Sequence, residues 1–146
     1  SHPKKIRPGT TSDQVGYFAD FFPTILELIG LKSDQIFDGN SIAGVLHGTQ
    51  KSKDVQPLYW EFYEKGGWRA TRFGKWKAIQ KNLHNSHEGP IELYDLYRDP
   101  SETFDVSQSH PQLVKKAKKI FKKASVPSEH YFWKYQQKRT TNIYNN

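Results

Sequence analysis

Between residues 57 and 100, turn-forming residues cut the chain into four strand-length runs, and this spacing restricts the fold more than any other feature. The first run, 57–63, is dense in aromatics and is followed by Lys65-Gly66-Gly67, a hairpin signal because glycine accepts the left-handed backbone that tight turns demand. Residues 68–73 make the second run, Gly74-Lys75 the next turn and 76–80 the third run. A polar loop, 81–90, precedes 91–96, which Arg98-Asp99-Pro100 brings to an end. Four strands joined mostly by short turns make an antiparallel meander, and such a sheet needs one face covered. The expected cover is a helix over 111–124, where Leu113, Val114, Ala117, Ile120, Phe121 and Ala124 recur at helical spacing behind His110-Pro111.

Upstream of the meander the apolar period is helical. Ile25, Leu26, Leu28 and Ile29 line one side of a helix expected over 23–29, with Pro23 in a first turn that needs no donor and Gly30 as a left-handed stop. Thr24 and Glu27 have capping-box spacing. Asp38-Gly39-Asn40-Ser41 predicts a tight turn, with Ser41 capping a helix of about two turns through Ile42, Ala43, Val45 and Leu46. Residues 1–11 carry Pro3, Pro8 and Gly9 among basic residues and read as an extended lead-in. The polar stretch 49–56 marks the expected boundary, dividing the chain into 1–54 and 55–146, the second part ending in a polar tail from residue 136. The fold class is α+β: a four-stranded antiparallel sheet covered by a C-terminal helix, preceded by helical segments.

Charge decides which partners are admissible. The chain holds 22 basic and 15 acidic residues, a net charge of +7 that favours anionic partners. Much of the excess falls on Lys115, Lys116, Lys118, Lys119, Lys122 and Lys123, the polar side of the expected C-terminal helix, and the first reading is a solvated helix face. The competing reading is a basic module that grips nucleic acid or another polyanion, disfavoured because no recognised nucleic-acid motif accompanies the charge. No apolar run reaches the roughly eighteen residues of a membrane-spanning helix, so no membrane partner is expected. With no Cys there is no disulfide and no thiolate metal site; with no Met and Ser1 in first place, the chain is expected to be a piece of a longer polypeptide.

Four blocks carry a resemblance: Asp20-Phe21-Phe22-Pro23-Thr24-Ile25-Leu26-Glu27-Leu28-Ile29-Gly30, Asp38-Gly39-Asn40-Ser41-Ile42, Arg69-Ala70-Thr71-Arg72-Phe73-Gly74-Lys75-Trp76-Lys77 and Glu92-Leu93-Tyr94-Asp95-Leu96-Tyr97-Arg98-Asp99-Pro100-Ser101-Glu102. In this order and spacing they resemble the C-terminal portion of the type I sulfatases, the arylsulfatase-like branch of the alkaline phosphatase superfamily. The resemblance implies that residues 1–54 close a larger α/β catalytic domain and that the sheet and helix form a small C-terminal subdomain. It also implies hydrolysis of sulfate esters, of an aryl compound or a carbohydrate, in a secreted or periplasmic parent protein. Phosphodiesterases and phosphonate hydrolases of the same superfamily are the neighbouring alternative. The upstream α/β domain of the same polypeptide is then the main partner, and it would hold the calcium ion and the formylglycine made from C-x-P-S-R or S-x-P-S-R.

No catalytic or metal-binding residue is expected in this chain itself, which should be inactive alone. The nearest match to the nucleophile motif is Ser125-Val126-Pro127-Ser128-Glu129, where Glu129 replaces the Arg, and it reads as an ordinary helix exit. Asp13, Asp20, Asp34 and Asp38 are single carboxylates suited to caps and turns. His84 and His87 read as an exposed loop pair, while His2, His47, His110 and His130 are isolated. The candidate contribution to function is the turn Tyr63-Glu64-Lys65-Gly66-Gly67-Trp68: Tyr63, Glu64, Lys65 and Trp68 would wall a substrate cleft, Lys65 facing an anionic group and the rings stacking on a sugar or aryl ring. A plain hairpin with packed aromatics is the other reading of the same turn.

Overall fold

The computed structural model describes residues 4–52, 56–86 and 88–126, and the chain divides into two compact units, Ser1–Val55 and Gln56–Asn146. The first unit contains helices α1 (Phe21–Ile29) and α2 (Ala43–Leu46). A short 3-10 turn, Phe18–Asp20, leads into α1, which starts two residues before Pro23. Pro23 is still among the first-turn positions whose N–H has no partner in the helix, so the earlier start costs nothing. Gly30 closes α1 at φ 76°, donating to the Glu27 carbonyl while Leu31 donates to Leu26.

Thr24 does not form the expected capping box with Glu27, because it lies inside the helix. Its hydroxyl donates to the Asp20 carbonyl at 2.6 Å and accepts the Ile42 amide at 3.0 Å, which ties α1 to the start of α2. Asp20 adds two further ties, one carboxylate oxygen accepting the Tyr17 amide at 3.1 Å and the other the Asn40 amide at 2.8 Å. The chain passes so close at Gly39 that a Cβ there would lie 2.2 Å from the Ala19 backbone. Helix α2 is a single turn instead of two; the Ser41 hydroxyl accepts the Ala43 amide at 3.2 Å, and Gly48, at φ 72°, follows it.

The second unit is the expected sheet and helix. Strands β1 (Leu58–Phe62), β2 (Trp68–Phe73), β3 (Trp76–Lys81) and β4 (Ile91–Asp95) pair antiparallel in sequence order. Phe73 pairs with Trp76 across the two-residue turn, where Gly74 takes φ 59°. Helix α3 (Pro111–Ala124) has the bounds read from the sequence, with Pro111 in its first turn.

Strand alternation divides the sheet into two faces. On the covered face lie Thr71, Phe73, Ala78, Gln80, Ile91 and Leu93, and Ala117 and Phe121 of α3 are fully buried against it. Arg69 joins this core as an amphipathic filler: its Nε donates to Gln80 at 2.8 Å, and its guanidinium lies 4.5 Å from the Phe121 ring centroid. Gln80 in turn donates to the Gly89 carbonyl at 2.6 Å, so the buried polar atoms are satisfied. The opposite face carries Trp60, Phe62 and Trp68 with Lys77, Lys81, Glu92 and Tyr94.

Candidate functional site

The turn that joins β1 to β2 is a five-residue loop, 63–67, closed by the Phe62–Trp68 pair. Three successive residues hold positive φ: Lys65 at 49°, Gly66 at 93° and Gly67 at 78°. Glycine carries that conformation freely, whereas Lys65 adopts it against its own Cβ. The loop is stabilised by its neighbour. Leu83 donates to the Gly67 carbonyl at 3.0 Å, His84 donates to Gly66 at 2.9 Å, and Gly67 donates to Glu64 at 2.9 Å.

His84 was expected in an exposed loop pair; the structure corrects this, placing it half-buried with Nε2 2.7 Å from the Tyr63 carbonyl. His87 lies outside the described residues. Leu83 is fully buried, anchoring a loop that reads as polar from end to end. A Cβ at Gly66 would meet the Asn82 side chain at 3.2 Å, so both backbone angle and space favour glycine there. The site is thus a rim of two loops, 63–67 and 82–86.

The four sequence-predicted residues sit on this rim but face different ways. Glu64 and Lys65 are exposed at the tip. Trp68 stands on the open face of the sheet, its indole N–H donating to the Lys65 carbonyl at 3.3 Å and its ring 5.3 Å from the Lys81 ammonium. Lys81 is itself paired with Glu92 at 2.8 Å. Tyr63 turns the other way: its hydroxyl donates to Glu61, which also accepts from Tyr59 and, at 2.7 Å, from Ser125 at the end of α3.

Glu61 is the residue the sequence reading missed. The alternation Tyr59, Glu61, Tyr63 put all three on one side and was the available signal. Burial, the hydrogen bond to Glu61 and its negative charge push the Tyr63 phenol up to about 12 and the Tyr59 phenol higher still. Both rings therefore stay neutral and act as fixed donors. Ser125 serves the same cluster as a latch between α3 and the edge strand, while the rest of its motif-like run, Pro127 to Glu129, lies outside the described residues.

At the other end of the sheet Asp95 accepts from Lys75 at 2.6 Å and from the Tyr97 amide at 3.1 Å, and these hold its carboxyl below the usual range. Burial would raise the Asp105 carboxyl, but the amides of Leu93 and Ser107 and the Ser107 hydroxyl outweigh it and lower it. Both groups are taken up by these bonds. Trp76 packs on His110 with centroids 5.0 Å apart, and Lys77 pairs with Glu102 at 2.6 Å, so these serve structure.

The family model for the C-terminal region of N-sulphoglucosamine sulphohydrolase matches residues 1–137. The chain belongs to this sulfatase family. An ulvan-active sulfatase of Formosa agariphila is 43% identical to this sulfatase chain, over 82% of it and 30% of the relative. Human arylsulfatase A is 29% identical over 81% of the chain and 28% of its own length. A solved structure in complex with its substrate D-glucosamine-2-N,6-O-disulfate shares the fold, with a TM-score of 0.68 at 23% identity, covering 84% of this chain and 26% of that one. The chain spans less than a third of the length of these curated relatives. The four sequence blocks thus mark a type I sulfatase C-terminal portion, and two of them owe their form to one set of contacts: Asp20 and Thr24 bind the backbone of the Gly39 turn.

Proposed function

We propose that this chain is the C-terminal part of a sulfatase that hydrolyses sulfate esters of carbohydrates, and that it shapes the substrate cleft without performing the chemistry. The match of the family model over residues 1–137 carries the reading. The activities of relatives, an ulvan-active sulfatase and an N-acetylglucosamine-6-O-sulfatase among them, favour a sugar over a simple aryl sulfate as the natural ester.

The residues present do not fit the family's reactive groups. Formylglycine requires a Cys or Ser in its motif; the chain has no Cys, and Ser125 is occupied as a donor to Glu61. The Asp20 carboxylate is taken up by two backbone amides, which leaves it poorly disposed to a calcium ion. Nucleophile and metal are therefore assigned to an upstream α/β domain, in a parent that is secreted or periplasmic. Residues of the 63–67 and 82–86 loops would form part of the cleft wall, with Lys65 offering a cation at the tip and Tyr63 a neutral ring.

The full-length protein should release sulfate from sulfated sugars, and the present chain should release none. Replacing Lys65 with Gln in the full-length protein should raise KM several-fold with kcat little changed, since a wall residue contributes binding and not chemistry. Sulfate release by this chain alone, or an unaltered KM across several sulfated sugars, would count against the assignment.

A further inference from the structure

Charge is not spread evenly along this chain. Residues 111–146 hold nine Lys and Arg against one acid, Glu129, whereas residues 1–110 hold thirteen against fourteen. The whole net charge of +7 therefore belongs to the last quarter of the sequence, an asymmetry that points to an anionic partner.

Helix α3 displays the larger share of this charge. Lys115, Lys116, Lys118, Lys119, Lys122 and Lys123 are all exposed, and the helix contains no acid. At 3.6 residues per turn the six fall within an arc of roughly 160° and about 12 Å of helix length, away from the buried Ala117 and Phe121, with Lys116 at one edge of the arc, its ammonium 5.1 Å from the Phe73 ring centroid. Among the described residues the ion pairs join Lys75 to Asp95, Lys77 to Glu102 and Lys81 to Glu92, none of them on α3.

Helix stability does not account for the arrangement. Lys122 and Lys123 gain from the C-terminal end of the helix dipole, but Lys115 and Lys116 lie too far from it. The pairs 115–118, 115–119, 118–122 and 119–123 are like-charged neighbours and repel, whereas a face selected for stability mixes signs. The face also lacks what a nucleic-acid reader uses: it has no Arg fork, and Phe121, the one aromatic of α3, is buried beneath the sheet. A field of ammonium groups without stacking rings matches a polymer of densely spaced, permanently charged sulfates.

We infer that the lysine face of α3 is a docking surface for a sulfated polysaccharide, holding the polymer that carries the ester near the enzyme. The inference rests on the carbohydrate-sulfatase reading above and adds to it a second contact, separate from the loop rim.

The test uses the full-length protein, dextran sulfate as probe and unsulfated dextran of the same chain length as control. Binding to dextran sulfate should fall linearly on a log–log plot against salt, and dextran should not bind. Changing all six lysines to Gln, which keeps helix propensity, should weaken dextran sulfate binding by about 30-fold or more at low salt. Changing all six to Arg should leave binding within about threefold, since the charge remains. Turnover of a small aryl sulfate should be the same in all three proteins.

Unaltered binding in the Gln variant overturns the inference. So does equal binding to dextran, or tighter binding at the same salt to a single-stranded oligonucleotide or to phosphatidylserine vesicles. Loss of all sulfate release with dextran sulfate binding intact would remove the sulfatase reading and leave an anion-docking helix. Sulfate release with no lysine-dependent binding would do the reverse.

Discussion

The two units of this protein are held together by different physics. In the second, one helix and four strands enclose a complete apolar core, with Phe121, Ala117, Leu93 and Ala78 fully buried. In the first, the described contacts are chiefly hydrogen bonds around Asp20 and Thr24, while Phe18 is 92% exposed, Phe21 64% and Ile29 62%. Phe21, Ile25 and Ile29 recur at intervals of four and so share one side of α1. The apolar side of α1 thus lacks the kind of cover that α3 gives the sheet, and large apolar patches of this sort mark surfaces that pack against a partner.

The largest expected effect probes the closed core. Phe121→Ala should cost about 3–5 kcal/mol, seen as a fall in the urea midpoint of the second unit, because the side chain is fully buried between Tyr59 and Arg69. A loss under about 1 kcal/mol would mean that α3 is not the lid described here.

The hydrogen-bonded unit is sharpened by Asp20→Ala, which strands the amides of Tyr17 and Asn40 and should cost about 1.5–3 kcal/mol. Amide exchange at those two positions should accelerate while the sheet amides keep their protection. Uniform acceleration across both units would erase the distinction between them.

Acid provides a smaller perturbation confined to the second unit. Asp95 and Asp105 are both depressed in the fold, so the stability they contribute is fully present above the ordinary Asp value of about 3.9 and is lost as pH falls through their folded values. The urea midpoint of that unit should therefore drop below about pH 4, and Asp105→Asn should flatten the dependence. An identical acid profile in that variant would show that the amide bonds from Leu93 and Ser107 do not set the carboxyl.

The smallest effect is the most direct test of the contrast. Phe21→Ala should change the stability of this chain by no more than about 0.5 kcal/mol, since the ring is already exposed. In the full-length protein the same change should cost about 3 kcal/mol, the ordinary price of a cavity. A loss of that size in the short chain would show the ring covered after all.

The meander was legible because Gly66, Gly67 and Gly74 mark turns whose backbone few other residues can adopt, and α3 because its apolar residues keep a helical period. The ends of α1 and α2 were misread by a turn or less, since Thr24 and Ser41 suit several local bonds equally well. The candidate rim was half legible. The glycines pointed to the 63–67 loop, but Leu83, His84 and Asn82 sit in a stretch of polar composition, and nothing local announces that a neighbouring loop will bond them to it.

What the amino-acid order determined alone was the run of strands and helices, the family and the concentration of positive charge on α3. These depend on periodicity, turn chemistry and counting, which are local properties. Tertiary structure decided that Tyr63 turns to Glu61 while Trp68 faces away, that Ser125 latches a helix to a strand, and that Asp20 grips a turn twenty residues on. The bonds of Ser125 to Glu61 and of Asp20 to Asn40 join segments far apart in sequence, and the directions of Tyr63 and Trp68, though their partners are two and three residues away, are selected by the geometry of the folded chain.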